Sequence, residues 1–540
     1  MAEEPGDAGS GVLADFVHGE RPGVVSDRRI MVTARRLRVL STSLEWFVFA
    51  LIAGAAAAIG SIQPWAYKPL WCSAPVLVVI AALRVNCVVA LREQLGRQRF
   101  SFHSSGRWLV LDDEAPYGIK TWGFDLARPP VPFAPLLVPG LAFGAWVLFQ
   151  TIALPPAIRA VINVTQPLGT LAEIRWRPLT VSLTDTLRGL AFLGAALTFH
   201  LVSAVVFDAP EARASLLGRL RALGVALSLL GLAQLASGTH LIYWFYEPYA
   251  FDGNVLLFGP FTNRNHFAAY MLMLTALALG WVAERLKTLS RTVGRSANVR
   301  RLAVNVLERS GPELLYAVVP ALTMIAGLIA TTSRGALVAF AAGLLLVSFR
   351  LFRRAQTPAW GVALLFTVVV VIWFGIDRLQ SRFGMASRQA VGRTVVWRDS
   401  LQRMQGHWIT GFGFNTFGVA ISRTTAWKLP EGATPWMDPY ETSIAEVVRA
   451  GYRKISEGTE LDYYREAHND YLQLLTEVGA VGLSIALWGL FRLVRRSWPD
   501  PWLLAAVVGP LLHAFVDFGF QIPAVAILFA TLAALRPKRG

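Results

Sequence analysis

Apolar residues in this chain gather into repeated runs of roughly 17 to 24, the length needed to cross a hydrocarbon core. Polar connections separate them, and no internal repeat is evident along the chain. The runs predict transmembrane helices near 44–60, 73–91, 134–153, 187–207, 220–238, 265–282, 314–331, 335–350, 359–376, 469–490, 501–516 and 519–535. The expected fold is an all-α polytopic membrane protein of about twelve spans, with one large loop between spans nine and ten. Residues 1–34 are polar and rich in Gly and acidic groups, and they read as a loosely ordered tail. The first apolar run begins only near Leu44, so no cleavable signal peptide is expected. The corresponding division is a tail over 1–43, membrane helices over 44–210 and 211–376, the loop 377–468, and a C-terminal membrane part over 469–540.

Composition reinforces the pattern. Of 540 residues, 54% are hydrophobic and only 16% are Asp, Glu, Lys or Arg, against about 25% charged in a soluble domain. A soluble enzyme and a disordered scaffold are excluded. Two cysteines, Cys72 and Cys87, exclude a disulfide framework or a thiolate-rich metal site. The net charge of +16 resides in short clusters between apolar runs, such as Arg35, Arg36 and Arg38, or Arg350, Arg353 and Arg354. Such clusters set topology and face anionic lipid, so no nucleic-acid partner is expected. With the N-terminus in the cytoplasm, every even-numbered connection is basic, and the C-terminal Arg536, Lys538 and Arg539 fall on the same side. The 377–468 loop is then periplasmic. Its Trp397, Trp408, Trp427 and Trp436 read either as interfacial aromatics or as a surface for pyranose rings.

This topology brings three ionisable residues to one depth near the outer face. Arg264 opens span six in Phe261-Thr-Asn-Arg-Asn-His-Phe267, Arg334 follows span seven in Thr332-Ser-Arg-Gly335, and His468 opens span ten in Glu466-Ala-His-Asn-Asp-Tyr-Leu472. Ionisable groups at membrane depth are costly and point to function. Two guanidinium groups meet the oxygens of a pyrophosphate with paired, charge-assisted donors. They also stabilise charge that grows on a leaving phosphate. His468 has the chemistry to take a proton from an attacking hydroxyl or to hold the pyrophosphate. Against this stands snorkelling, by which a lone arginine at a span end reaches the interface.

Other candidates carry two readings each. Asn263, His266, Asn469 and Tyr471 flank the three residues as substrate contacts, or serve as caps and packed helix residues. Arg393 and Arg398 either guide an anionic substrate or are solvated loop charges. His513 and Asp517, at i and i+4, form a proton relay, a metal pair or a structural bond. Glu477, nine residues into an apolar helix, reads as an internal anchor for a basic partner. No Walker loop, dinucleotide fingerprint or HExxH motif is present, so neither a cofactor nor a metal is expected.

The stretch Asn263-Arg-Asn-His-Phe-Ala268, the Ser333-Arg-Gly335 turn, the long external loop, His468-Asn-Asp-Tyr-Leu-Gln-Leu-Leu-Thr-Glu-Val-Gly479 and Asp517-Phe-Gly-Phe-Gln-Ile-Pro523 resemble the O-antigen ligase and polymerase superfamily. The resemblance covers roughly residues 220–535. It implies a bacterial inner-membrane glycosyltransferase of GT-C type, metal-independent and inverting, with its site facing the periplasm. The implied donor is an undecaprenyl-pyrophosphate-linked glycan. The implied acceptor is lipid A–core, another lipid-linked glycan or a different hydroxyl, as for ligases, polymerases and protein glycosyltransferases respectively. The family's essential arginines carry over onto Arg264 and Arg334, and its loop histidine onto His468. A ligase-like transfer is the leading expectation, an O-antigen or exopolysaccharide polymerase the next. A lipid-linked sugar transporter or flippase is the reading from another class.

Overall fold

A computed structural model describes residues 23–25, 28–97, 107–112, 120–125, 131–162 except 133, 176–247, 257–293, 311–353, 393–424 except 395, and 466–538. The apolar runs become helices. In chain order they are α1 (Arg28–Ala57), α2 (Pro64–Arg97), α3 (Leu137–Thr151), α4 (Pro156–Ile162), α5 (Leu183–Val206), α6 (Pro210–Ser237), α7 (Arg264–Val293), α8 (Gly311–Ala330), α9 (Arg334–Arg353), α10 (Phe417–Thr424), α11 (Asp470–Ser497), α12 (Pro501–His513) and α13 (Pro523–Ala534). Among the described residues, eight helices are long and apolar enough to cross a membrane, and α3, α12 and α13 are shorter apolar helices. The chain is therefore a polytopic helical membrane protein. The run expected at 359–376 lies outside the described residues, as do Trp427 and Trp436.

Two features of the N-terminal region go beyond the hydrophobic pattern. The helix expected from residue 44 starts at Arg28, because Ile30, Met31, Ala34 and Leu37 bury a stripe against Val88 and Leu91 of α2. The tail also supplies β1 (Gly23–Val25), which pairs in parallel with β2 (Arg107–Asp112); β2 pairs antiparallel with β3 (Lys120–Asp125), placing Trp108 opposite Phe124 and Val110 opposite Trp122. This small sheet is built from β-branched and aromatic residues, which favour strands.

The helix α7 is the hub, packing along α8 and α12, with α6, α9 and α13 also against it. It buries 72% of its apolar window. Phe267 through Leu274 are all buried, an apolar helix surrounded on every side. The helix α12 continues the layer to α9, and α13 packs on α5. The helices α7, α9 and α11 all begin at one end of the bundle. Their far ends carry the basic residues Arg285, Arg350, Arg495 and Arg496. There Arg213 pairs with Asp500 at 3.1 Å, Arg536 pairs with Asp208, and Arg221 lies 3.5 Å over the Trp281 ring.

The helix α11 is broken at Gly479, whose backbone (φ 64°, ψ −173°) lies in a region open essentially to glycine alone. The break lets an outer segment dock against the helix: the Ala480 amide donates to the Trp408 carbonyl at 2.8 Å, and the Phe412 amide to the Thr476 carbonyl at 3.0 Å. A Cβ on Gly479 would stand 2.2 Å from the Ile409 carbonyl oxygen. Gly479→Ala is expected to cost about 2–4 kcal/mol, seen as a lowered melting temperature in detergent. Gly194→Ala, on α5 with no atom within 4 Å of the added methyl, should leave melting unchanged or slightly raised.

Candidate functional site

The site is built where the N-termini of α7, α9 and α11 meet the turn between α12 and α13. Asn263 shapes the start of α7: its side chain accepts from the Asn265 amide at 2.8 Å, and its carbonyl from the His266 and Phe267 amides. Arg264 follows, half-buried, and its Nη1 donates to the Thr332 hydroxyl at 2.7 Å. Thr332 is β-branched yet has φ 54°. For such a residue this is an outlier costing about 1–3 kcal/mol. The left-handed turn delivers Arg334 to the first position of α9, where it is exposed. Among the described residues, the Arg334 guanidinium carries no hydrogen bond or ion pair.

Gly335 explains how α9 comes so close to the α12–α13 turn. A Cβ there would lie 2.6 Å from Val516 Cγ2 and 3.2 Å from His513 Cδ2. His513, ending α12, has Nε2 3.9 Å from Asp517 Oδ2, and His468 Nδ1 lies 3.9 Å from Asp517 Oδ1. The ring of Phe518 joins the remaining pair, with centroids 4.9 Å from His468 and 4.6 Å from His266, both edge-on. His266, His468, His513, Asp517 and Phe518 are thus gathered into one cluster, while Thr332 ties Arg264 to the turn before Arg334 and Gly335 packs beside His513.

Electrostatics follow from the burial pattern. The Asp517 side chain is 1% exposed and the His468 side chain 39%. Burial alone would raise the Asp517 carboxyl. The imidazoles of His468, His266 and His513 outweigh burial and hold it well below the ordinary carboxylate range. Asp517 is accordingly an anion faced by three imidazoles. Both its contacts at 3.9 Å are longer than hydrogen bonds. His468 is a left-handed residue, φ 50°, directed toward the cluster by the chain entering α11.

Several flanking candidates have structural partners. Asn469 caps α11 by accepting from the Tyr471 and Leu472 amides at 3.1 Å each. Tyr471 ties α11 to α12, its hydroxyl donating to the Leu511 carbonyl at 2.9 Å and its ring packing on Phe515. Arg393 is half-buried within electrostatic reach of His513, whereas Arg398 is exposed and pairs with its neighbour Asp399 at 3.6 Å. No group of three His, Cys, Asp or Glu side chains among the described residues is arranged to hold a metal ion.

Glu477 differs from its expected pairing. Its carboxylate takes no basic partner among the described residues; Oε2 accepts from the Asn415 amide at 2.8 Å, and Oε1 from the Phe417 amide and Gln473 Nε2 at 3.2 Å each. It caps the N-terminus of α10, where backbone N–H groups and the helix dipole favour an anion. Gln150 of α3 completes the joint. Its Nε2 donates to the Thr410 and Glu477 carbonyls, and its Oε1 accepts from the Phe414 amide. Gln150, Gln473, Thr332 and Phe518 were not singled out from sequence. For Gln150 a signal existed, an amide inside an apolar run.

Residues 319–487 match the family described as O-antigen ligase, so the superfamily assignment made from sequence resemblance is supported over that region. The matched region contains Arg334, His468, Gln473 and Glu477, and Arg264 lies before it. The long apolar helices and this match together support an inner-membrane location. No curated protein matches the chain.

If Asp517 is held ionised by its surround, its contribution to stability is present above the ordinary carboxylate pKa and lost as pH falls through its depressed value. The melting temperature of Asp517→Asn should therefore fall short of the native protein's at pH 7 and pH 5. The gap should begin to narrow only below about pH 4 and close as pH falls toward the depressed value. A gap already closed at pH 5 would contradict the assignment.

Proposed function

We propose that this chain, which carries an O-antigen ligase domain over residues 319–487, is a membrane glycosyltransferase. It moves a glycan from an undecaprenyl-pyrophosphate carrier to an acceptor hydroxyl at the periplasmic face. The observation that carries the reading is the convergence of three helix N-termini on one cluster holding Arg264, Arg334 and the His468–Asp517 pair. Helix N-termini and guanidinium groups together form a polydentate anion site. Arg264 and Arg334 clamp the pyrophosphate and stabilise the charge released as the sugar–phosphate bond breaks.

His468 acts as general base in this reading. Asp517 faces Nδ1 and favours the tautomer that carries its proton there, leaving Nε2 to accept from the acceptor hydroxyl. The acceptor oxygen attacks the anomeric carbon, the bond to the phosphate oxygen breaks, and the lipid pyrophosphate leaves. In-line displacement by a hydroxyl inverts that carbon. No metal enters this scheme, since the arginines supply the positive charge. The other residues near the cluster, His266, His513 and Arg393, border the donor site; Asn263, Asn469 and Tyr471 hold the helix starts that present it.

The acceptor is lipid A–core or a related carrier in the ligase-like form, and a second lipid-linked glycan in the polymerase form. Reconstitution of the purified protein with a defined lipid-pyrophosphate glycan, with and without lipid A–core, separates them by product mass. Product only with lipid A–core identifies a ligase, and a ladder from donor alone a polymerase. Movement of intact donor across the bilayer without lipid pyrophosphate release would replace this reading with transport. Arg264→Ala and Arg334→Ala should each lower turnover about 10²–10³-fold with melting temperatures near the native value. Normal turnover in either variant removes that arginine from the clamp.

A further inference from the structure

The left-handed backbone at His468 is set between two fixed points. On one side, the buried Ala467 is held at both polar atoms: its amide donates to Gln473 Oε1 at 3.2 Å, and its carbonyl accepts from Trp397 Nε1 at 2.8 Å. On the other side, the Asp470 amide donates to the Ala514 carbonyl at 2.9 Å. Gln473 is itself fully committed. Its Nε2 donates to Glu466 Oε2 at 2.8 Å and to Glu477 Oε1 at 3.2 Å, so both donors and one acceptor direction of this buried carboxamide are assigned. Glu466 Oε2 facing Nε2 also fixes its orientation, because a flipped amide would turn its oxygen toward that carboxylate. Glu477 in turn holds the Asn415 and Phe417 amides of the outer segment.

We infer that Gln473, anchored by Glu477, is a positioning residue through which the outer segment 408–417 sets the place of His468 against Asp517. This rests on the reading of His468 as the general base. Gln473 sits in the first turns of α11 and is buried, so it acts through Ala467 and does not touch substrate. The outer segment and the acid–base group consequently move as one body. Trp397 supplies the second restraint on the same residue, through the Ala467 carbonyl.

The test uses the full-length protein in nanodiscs and two independent readouts. The first is the rate at which diethyl pyrocarbonate modifies His468, followed by mass spectrometry, with the exposed His240 as internal reference. Gln473→Met should change the His468 rate by about threefold or more and leave His240 unchanged. The second is turnover: kcat should fall about 10–100-fold with KM for the lipid-linked donor within about twofold, and the same substitution in His468→Ala should cause no further loss. Trp397→Phe, which keeps the ring and removes the N–H, should show the same pattern and covers the case in which Gln473→Met fails to fold. An unchanged His468 rate in both variants, or an equal fold-loss of kcat with and without His468, overturns the inference. Full turnover by His468→Ala alone would instead remove the general-base reading, while the modification rates would still decide whether Gln473 positions the imidazole.

Discussion

Irregular backbone survives at membrane depth only where the protein satisfies every freed amide and carbonyl. The break in α11 at Gly479 is where this constraint bears hardest, and its solution organises the end of the molecule at which α11 begins. The Glu477 carbonyl accepts from the Gly413 amide at 2.8 Å and from Gln150 Nε2 at 3.0 Å; the Val478 carbonyl accepts from Trp146 Nε1 at 2.9 Å. Satisfying the break thereby binds α3, α11 and the outer segment into one block. Gly411 and Gly413, at φ 68° and 113°, permit the close approach; a Cβ on Gly411 would fall 2.4 Å from the Glu477 carbonyl.

That block fixes the entry to α11, and the entry fixes His468. The opposite wall rests on α7, the most enclosed of the long helices, whose first residue is Arg264. Rigid elements hold reacting groups more closely than free loops do. The wall charges are also separated by depth. Asp517, His513 and His266 are buried, while Arg334 is exposed and Arg264 half-buried. The opposite end of the bundle spends its basic residues differently, on Asp208, Asp500 and the faces of Trp46, Trp281 and Trp498.

The spans and the site differ in how much of them the sequence makes legible. Hydrophobic runs report burial in lipid directly, so α5, α8 and α9 stand close to their expected intervals, while α1, α2, α6 and α7 overlap theirs and extend well past them. Arg264, Arg334 and His468 were legible because a charged residue at the mouth of an apolar run has few structural uses. Asp517 was legible only as a partner of His513, four residues away, since nothing in the spacing shows that His468 approaches from 49 positions earlier. Glu477 was legible as an anchor and illegible as to its partners. Those partners are backbone amides, which every residue but proline carries and which leave no mark in composition. The Gly479 break was hidden for a related reason, because glycine also occurs within unbroken membrane helices.

The most direct test is a structure of the protein in nanodiscs with a non-hydrolysable phosphonate analogue of a lipid-pyrophosphate glycan. The account predicts the two phosphorus centres within hydrogen-bonding range of Arg264 and Arg334, and His468 Nε2 facing the anomeric carbon from the side opposite the phosphate. A pyrophosphate seated elsewhere, with those arginines still turned to protein or solvent, would contradict it.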